Sequence, residues 1–168
     1  MIKQILLLVI PVALMRITTS CDLFHKKSNT MEEPTSSVSA NDTTPKVIGI
    51  GGIFFFTDDP KATKEWYSQN LGMEINDWGS SSFESRDINH PDTIHSLQWT
   101  PFKTGSDYFE PSKKDFMINY RVQNLEGLVE KLKQNGANIL DSIAVYDYGK
   151  FVHLIDPEGN KIELWEPK

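Results

Sequence analysis

The residues best placed to do chemistry lie in the closing stretch FVHLIDPEGNKIELWEPK, residues 151–168. Glu163 falls between Ile162 and Leu164, inside a short apolar run with strand character. A carboxylate in that setting is costly to bury without a partner. Asp156-Pro157-Glu158-Gly159-Asn160 is a turn sequence, and a five-residue hairpin loop there sets Ile155 opposite Lys161, His153 opposite Glu163 and Phe151 opposite Trp165. An imidazole facing a carboxylate gives an acid/base pair or a two-ligand fragment of a metal site. The same two residues also make a polar pair at the wet edge of a cavity. A loop one residue shorter would set Val152 opposite Glu163, so the chemistry hangs on the turn.

Those residues must be positioned by a repeated unit. VIGIGGIFFFTDDPKATKEWYSQNLG is an apolar strand, a polar break, a helix and a glycine stop, and DFMINYRVQNLEGLVEKLKQNG has the same order. Asp59 is an N-cap, Pro60 suits the first helical turn and Gly72 follows the helix. In the second copy Asn124 caps, Leu125, Leu128, Val129 and Leu132 recur at helical spacing, and Gly136 ends the helix. Asp59 laid on Asn124 gives an offset of about 65 residues, the mark of a duplicated unit. Strands are expected at Met73–Trp78, Ser82–Arg86 and Ile94–Trp99 in the first half. In the second they are expected at Ala137–Leu140, Phe151–Ile155 and Lys161–Trp165. The fold class is therefore α+β: two tandem βαβββ modules, about 46–102 and 114–168, joined by a connector over Pro101–Lys114. Neither half has core enough to stand alone, so their sheets should pack into one domain over 46–168.

Ahead of that domain, residues 1–20 read as a signal peptide. Lys3 precedes an apolar run from Ile5 to Met15 that is too short, and too interrupted by Pro11 and Arg16, for a stable membrane span. Cys21 is the single cysteine and follows Thr18-Thr19-Ser20 in the manner of a bacterial lipobox, which makes it the lipidation site. The remainder of 21–45 is Ser, Thr, Asn, Glu and Pro with few large apolar residues, a flexible tether. The chain is thus expected at the cell envelope, lipid-anchored to a bacterial membrane outside the cytoplasm. At 168 residues with a formal charge of −6, it lacks the basic face that nucleic-acid binding needs.

The paired βαβββ units, FFFTDDPKATKEWYSQNLGM and the closing DPEGNKIELWEP together resemble the vicinal oxygen chelate superfamily. That group includes glyoxalase I, extradiol dioxygenases, and bleomycin or fosfomycin resistance proteins. The resemblance covers about 46–168 and implies one curved, partly closed barrel-like cavity, with four inward positions that hold a divalent metal in catalytic members. Strand parity turns Phe116, Ile118, Tyr120 and Val122 toward the helices and Met117, Asn119 and Arg121 into the cavity. The repeat offset then sends Gly52, Phe54 and Phe56 inward and lays Glu163 on Gln98, so the metal-equivalent positions are Gly52, Gln98, Met117 and Glu163. Glycine supplies no ligand and a thioether is a poor one for metals that prefer nitrogen and oxygen.

The expected function is binding of a small molecule, with no cofactor and without the full family metal site. Gln98, Met117, Asn119, Arg121, Phe54 and Trp165 are the ligand-binding residues, and Glu163 with His153 the pair able to catalyse. Arg121 either holds an anionic or carbonyl-bearing ligand or neutralises Glu163. Phe56 and Trp99 are further stacking candidates. Asp107-Tyr108-Phe109 and Tyr146-Asp147-Tyr148-Gly149 are candidate lids, while His90 and His95 read as surface residues beside a Pro91-Asp92 turn. The alternative is a glyoxalase-like lyase, isomerase or dioxygenase that holds a divalent metal on Glu163, Gln98 and His153. A sequestering protein of the bleomycin-resistance type is a third reading, and the chain is expected as a monomer or a homodimer.

Overall fold

The computed structural model describes residues 42–168. The expected signal peptide, Cys21 and the tether up to residue 41 lie outside the described residues. Eight strands and two helices follow in the order β1 (Lys46–Thr57), α1 (Pro60–Leu71), β2 (Ser81–Arg86), β3 (Ile94–Lys103), β4 (Phe116–Gln123), α2 (Leu125–Gln134), β5 (Asn138–Ile139), β6 (Ala144–Tyr146), β7 (Gly149–Ile155) and β8 (Lys161–Pro167). A short 3-10 turn at Asp107–Phe109 lies between β3 and β4.

The helix ends follow from local chemistry. Asp59 accepts hydrogen bonds from the Lys61 and Ala62 amides, and Gly72 closes α1 at φ 67°, a left-handed conformation that costs glycine nothing. Asn124 caps α2 by accepting from the Gly127 amide. Leu125, Leu128 and Val129 put the buried face of α2 on the sheet, at helical spacing.

The two halves do not form two sheets. β1 and β4 pair antiparallel, from Lys46 opposite Gln123 to Phe55 opposite Phe116, and join everything into one curved, open sheet. Its order is β2-β3-β1-β4-β8-β7-β5, with β6 also on β7. Nor are the halves copies. Met73–Trp78 forms no strand, because Asn76 accepts from the Trp78 and Ser80 amides and builds a side-chain turn there. The first half is therefore βαββ, whereas the second adds four strands after its helix, β6 among them where a loop was expected.

The core belongs to the second half. Val122, Leu125, Leu128, Val129, Val152, Leu154 and Leu164 form one buried cluster with Tyr120, Leu132 and Ile162 packed against it. Val122 and Tyr120 thus face α2 as parity predicts, and Met117, Asn119 and Arg121 are buried on the opposite face of β4. α1 buries no residue. It rests on the sheet through Tyr67 against Trp99, ring centroids 4.7 Å apart, and Trp99 against Phe55.

The register of β1 shifts between Val47 and Gly49 and again between Ile50 and Gly52. Such irregularities leave ladder carbonyls without strand partners. Arg121 answers this: its Nη2 donates to Ile50 O at 3.1 Å and Ser96 O at 2.8 Å, strapping β4 to β1 and β3. Truncation in the core should accordingly cost far more than truncation on α1. Leu125→Ala is expected to lose about 3 kcal/mol, and Leu71→Ala, at a side chain 60% exposed, less than about 1 kcal/mol, both read from urea unfolding.

Candidate functional site

β8 sends Leu164 into the core and Glu163 to the opposite, concave face, where it is 3% exposed. Its neighbours across the sheet are fixed by pairing. In the parallel β4–β8 ladder Asn119 lies opposite Glu163, and in the antiparallel β7–β8 hairpin His153 does, with Ile155 opposite Lys161 and Phe151 opposite Trp165. The five-residue turn has the register expected of it, held by Asp156, whose side chain accepts from the Glu158 and Asn160 amides.

Three donors converge on this carboxylate. Asn119 Nδ2 donates to Oε1 at 2.6 Å, while the Tyr108 hydroxyl, at 2.6 Å, and His153 Nε2, at 2.9 Å, both meet Oε2. His153 is held from its other side as well. Asp141 Oδ2 lies 2.6 Å from Nδ1, and Asp141 Oδ1 accepts from the His153 backbone amide at 2.8 Å. A neutral imidazole has one N–H, and here both ring nitrogens face carboxylate oxygens, so the geometry calls for the imidazolium.

The proton affinities agree. Burial opposes charge on His153, but hydrogen bonds to Glu163 and Asp141 outweigh it and raise its pKa above the ordinary 6.5. Burial likewise works against the Glu163 anion, yet the bonds from His153, Tyr108 and Asn119 prevail and lower its pKa below the ordinary 4.5. Burial, reinforced by the adjacent Glu163 charge, pushes the Tyr108 hydroxyl far up, so it remains a donor.

The Asn119 amide is fixed from behind. Its Oδ1 is buried with no hydrogen-bond partner among the described residues and lies over Gly51, where any β-carbon would collide with it and come within 2.8 Å of Trp165. Glycine at 51 is what lets the amide turn its Nδ2 to Glu163. The connector supplies Tyr108 and is itself tied down: Ser112 Oγ donates to Gly159 O at 2.7 Å, and Lys161 Nζ donates to Tyr108 O at 2.6 Å. Phe109, beside it, is buried and stacks on Phe56 at 4.2 Å. The 107–109 stretch is thus packed structure, not a free lid.

This cluster floors a cavity of about 880 Å³ on the concave face. Phe54, Gln98, Asn119, Trp165, His153 and Glu163, all expected there, line it. Met117 is wholly buried and Arg121 is spent on backbone carbonyls, and neither is among the lining residues. Arg121 therefore does not neutralise Glu163. His95, expected at the surface, is half-buried with Nε2 3.0 Å from Asp87 Oδ2. Sequence reading did not reach Asp141 at all, since nothing in its local pattern links it to a histidine twelve residues on. It singled out Tyr108 only as part of a lid. Tyr146 and Tyr148 do reach the cavity, stacked on each other at 5.4 Å beside the Phe151–Trp165 stack.

The four metal-equivalent positions shift in register. Asn119 lies opposite both Gly52 and Glu163, so the position expected at Met117 falls at Asn119, whereas Met117 lies opposite Phe54. Glycine, a glutamine whose amide donates to Ser82, an asparagine and a carboxylate already holding three donors do not make a divalent-metal donor set. Asp141, His153 and Glu163 are in line, with the ring between the two carboxylates, and do not converge on one point. Among the described residues no cluster of three or more such side chains is arranged to hold a metal ion.

Linkage gives the site a pH signature. His153, with its pKa raised on folding, adds stability that is complete below about pH 6.5 and is lost as pH climbs through the folded value. Glu163, with its pKa lowered, adds stability present above about pH 4.5 and lost as pH falls through the folded value. Unfolding free energy should therefore show a plateau between these limits. His153→Gln is expected to flatten the alkaline limb and Glu163→Gln the acid limb, in urea titrations across pH.

Comparison with known proteins bears on the fold. A family model described as Glyoxalase/Bleomycin resistance protein/Dioxygenase superfamily matches residues 49–164. No curated relative matches the sequence. Among solved structures, a Streptomyces coelicolor methylmalonyl-CoA epimerase variant in complex with 2-nitronate-propionyl-CoA is similar at a TM-score of 0.53 and 14% identity, over 73% of this chain and 99% of that one. A methylmalonyl-CoA epimerase in complex with methylmalonyl-CoA and NH4+ gives 0.51 and 16%, over 73% and 96%. The epimerase from Mycobacterium tuberculosis gives 0.46 and 20%, over 73% and 89%. At such identities the likeness is one of fold.

Proposed function

Since the chain belongs to the glyoxalase/bleomycin resistance protein/dioxygenase superfamily, we propose that its concave cavity binds a small organic molecule without the family's divalent metal, on a domain anchored at the cell envelope through Cys21. One observation carries the binding reading. A cavity of about 880 Å³, within the range of small-molecule sites, has Glu163 at its floor with both oxygens already satisfied by protein donors.

A carboxylate that already accepts three hydrogen bonds has reduced basicity and little capacity left for a metal. His153, bonded at both ring nitrogens to carboxylates of two different segments, acts in this reading as a brace. In this reading the pair shapes the pocket: Glu163 orients Tyr108 and Asn119, and His153 holds Asp141 and with it the segment that leads to Tyr146 and Tyr148. Gln98, Phe54 and Trp165 contact the ligand, and Met117 and Arg121 support the strands from which the pocket is built. The anchoring part of the proposal rests on Lys3, the apolar run to Met15, Cys21 and the polar stretch behind it.

Two measurements test this. Native mass spectrometry of protein purified without chelators should show no stoichiometric Ni, Zn, Mn or Fe. A bound metal that disappears in Glu163→Ala would overturn the metal-independent reading. Cys21→Ser should move the protein out of the membrane fraction, and unchanged partitioning would defeat the anchor.

A further inference from the structure

We infer that the ligand is an uncharged ring that stacks on the aromatic wall and donates hydrogen bonds, a saccharide or a nucleoside, and that the cavity discriminates against anions. The inference deepens the small-molecule reading above and rests on it.

Charge is the first argument. Among the described residues no lysine or arginine lines the cavity. Lys161 Nζ is committed to the Tyr108 carbonyl and Arg121 to the carbonyls of Ile50 and Ser96, while Lys64 reaches Gly79 at the rim, between the lining residues Trp78 and Ser80. Asp141, Glu163 and His153 line it, and the imidazole is clamped between the two carboxyl groups. A phosphate or carboxylate at the floor would meet two carboxylates and one imidazole already shared between them, with no lysine or arginine among the described lining residues to pair with, which disfavours it in a partly desolvated pocket.

Hydrogen-bonding capacity is the second. Gln98 commits its Nε2 to Ser82, which leaves Oε1 as an acceptor at the cavity. Asp141, 46% exposed at its side chain, has lone pairs beyond those used by His153. These acceptors take O–H or N–H donors from a ligand, and the Ser96, Tyr146 and Tyr148 hydroxyls of the lining can answer its acceptors.

Shape is the third. Phe151 and Trp165 are stacked with ring planes 10° apart, and Tyr146 and Tyr148 with planes 4° apart. All four line the same side of the cavity, while Ser96 and Gln98 come from β3 across the sheet. An aromatic wall facing a wall of amide and hydroxyl groups suits a flat or puckered ring with an apolar face and a polar rim. The volume has room for a ring with a substituent of similar size.

Matched neutral and anionic probes test this on the full chain: adenosine against its 5′-monophosphate, riboflavin against its 5′-phosphate, and maltose against maltose 1-phosphate, by calorimetry and tryptophan fluorescence. At least one neutral member should bind more tightly than its phosphate by about tenfold or more, and whether the saccharide or a nucleoside-type ring does so identifies the source. Ser96→Lys, which places a cation in the lining, should reduce that preference by about tenfold, and an unchanged ratio would count against the electrostatic argument. Phosphates binding as tightly as their neutral partners overturn this inference while leaving a small-molecule pocket in place. No binding by any probe of either charge, with Trp165→Ala indistinguishable from the parent protein, sinks the pocket reading and the inference with it.

Discussion

A carboxylate buried to 3% exposure must be held by donors or it will not stay ionised, and the donors that hold Glu163 come from three separate parts of the chain. Asn119 is on β4, His153 on β7, and Tyr108 on the segment that links the halves. Each of these is in turn fixed by something further: Asn119 by the bare backbone at Gly51, His153 by Asp141, Tyr108 by Lys161. Loss of any one of these donors leaves a buried charge short of a partner in the low-dielectric interior. The position of the connector, the seating of the 140–148 segment and the floor of the cavity all follow from satisfying this one side chain.

The same network decides what the cavity is able to do. In the family to which the chain belongs, the corresponding strand positions present metal ligands in catalytic members. Here they present glycine, glutamine, asparagine and a glutamate already bonded to protein. The protein supplies protons and N–H groups to the carboxylate where a metal ion would supply charge.

Packing is unequal between the halves, and this bears on how the site is held. α2 drives three buried side chains into the sheet, whereas α1 drives none. The first half stays attached by backbone pairing of β1 with β3 and β4, by the Tyr67–Trp99–Phe55 contacts and by Arg121 reaching two carbonyls. Every residue that bonds Glu163 belongs to β4, β7 or the connector, so the polar floor sits on the better-packed half. The first half contributes Gly51, Phe54, Ser96 and Gln98 to the cavity by extending the sheet beneath it.

Local chemistry made much of this legible in the amino-acid order alone. The helix caps at Asp59 and Asn124, the glycine stop at Gly72, the spacing of Leu125, Leu128 and Val129, and the DPEGN turn that sets His153 opposite Glu163 are all determined within a dozen residues. So is the alternation that puts Asn119 and Arg121 on the face away from α2. What the sequence left open is what depends on long-range register and on side-chain reach. The missing strand at Met73–Trp78 was lost to an Asn76 turn that competes with β structure, and the position expected at Met117 falls at Asn119 because the chain from Gly52 to its helix cap Asp59 is longer than that from Asn119 to Asn124. Tyr108 and Asp141 lie 55 and 12 residues from the side chains they bond, so no periodicity could join them. Only the tertiary structure brings them to Glu163 and His153, because a buried charge recruits its donors by distance in space and not by separation along the chain.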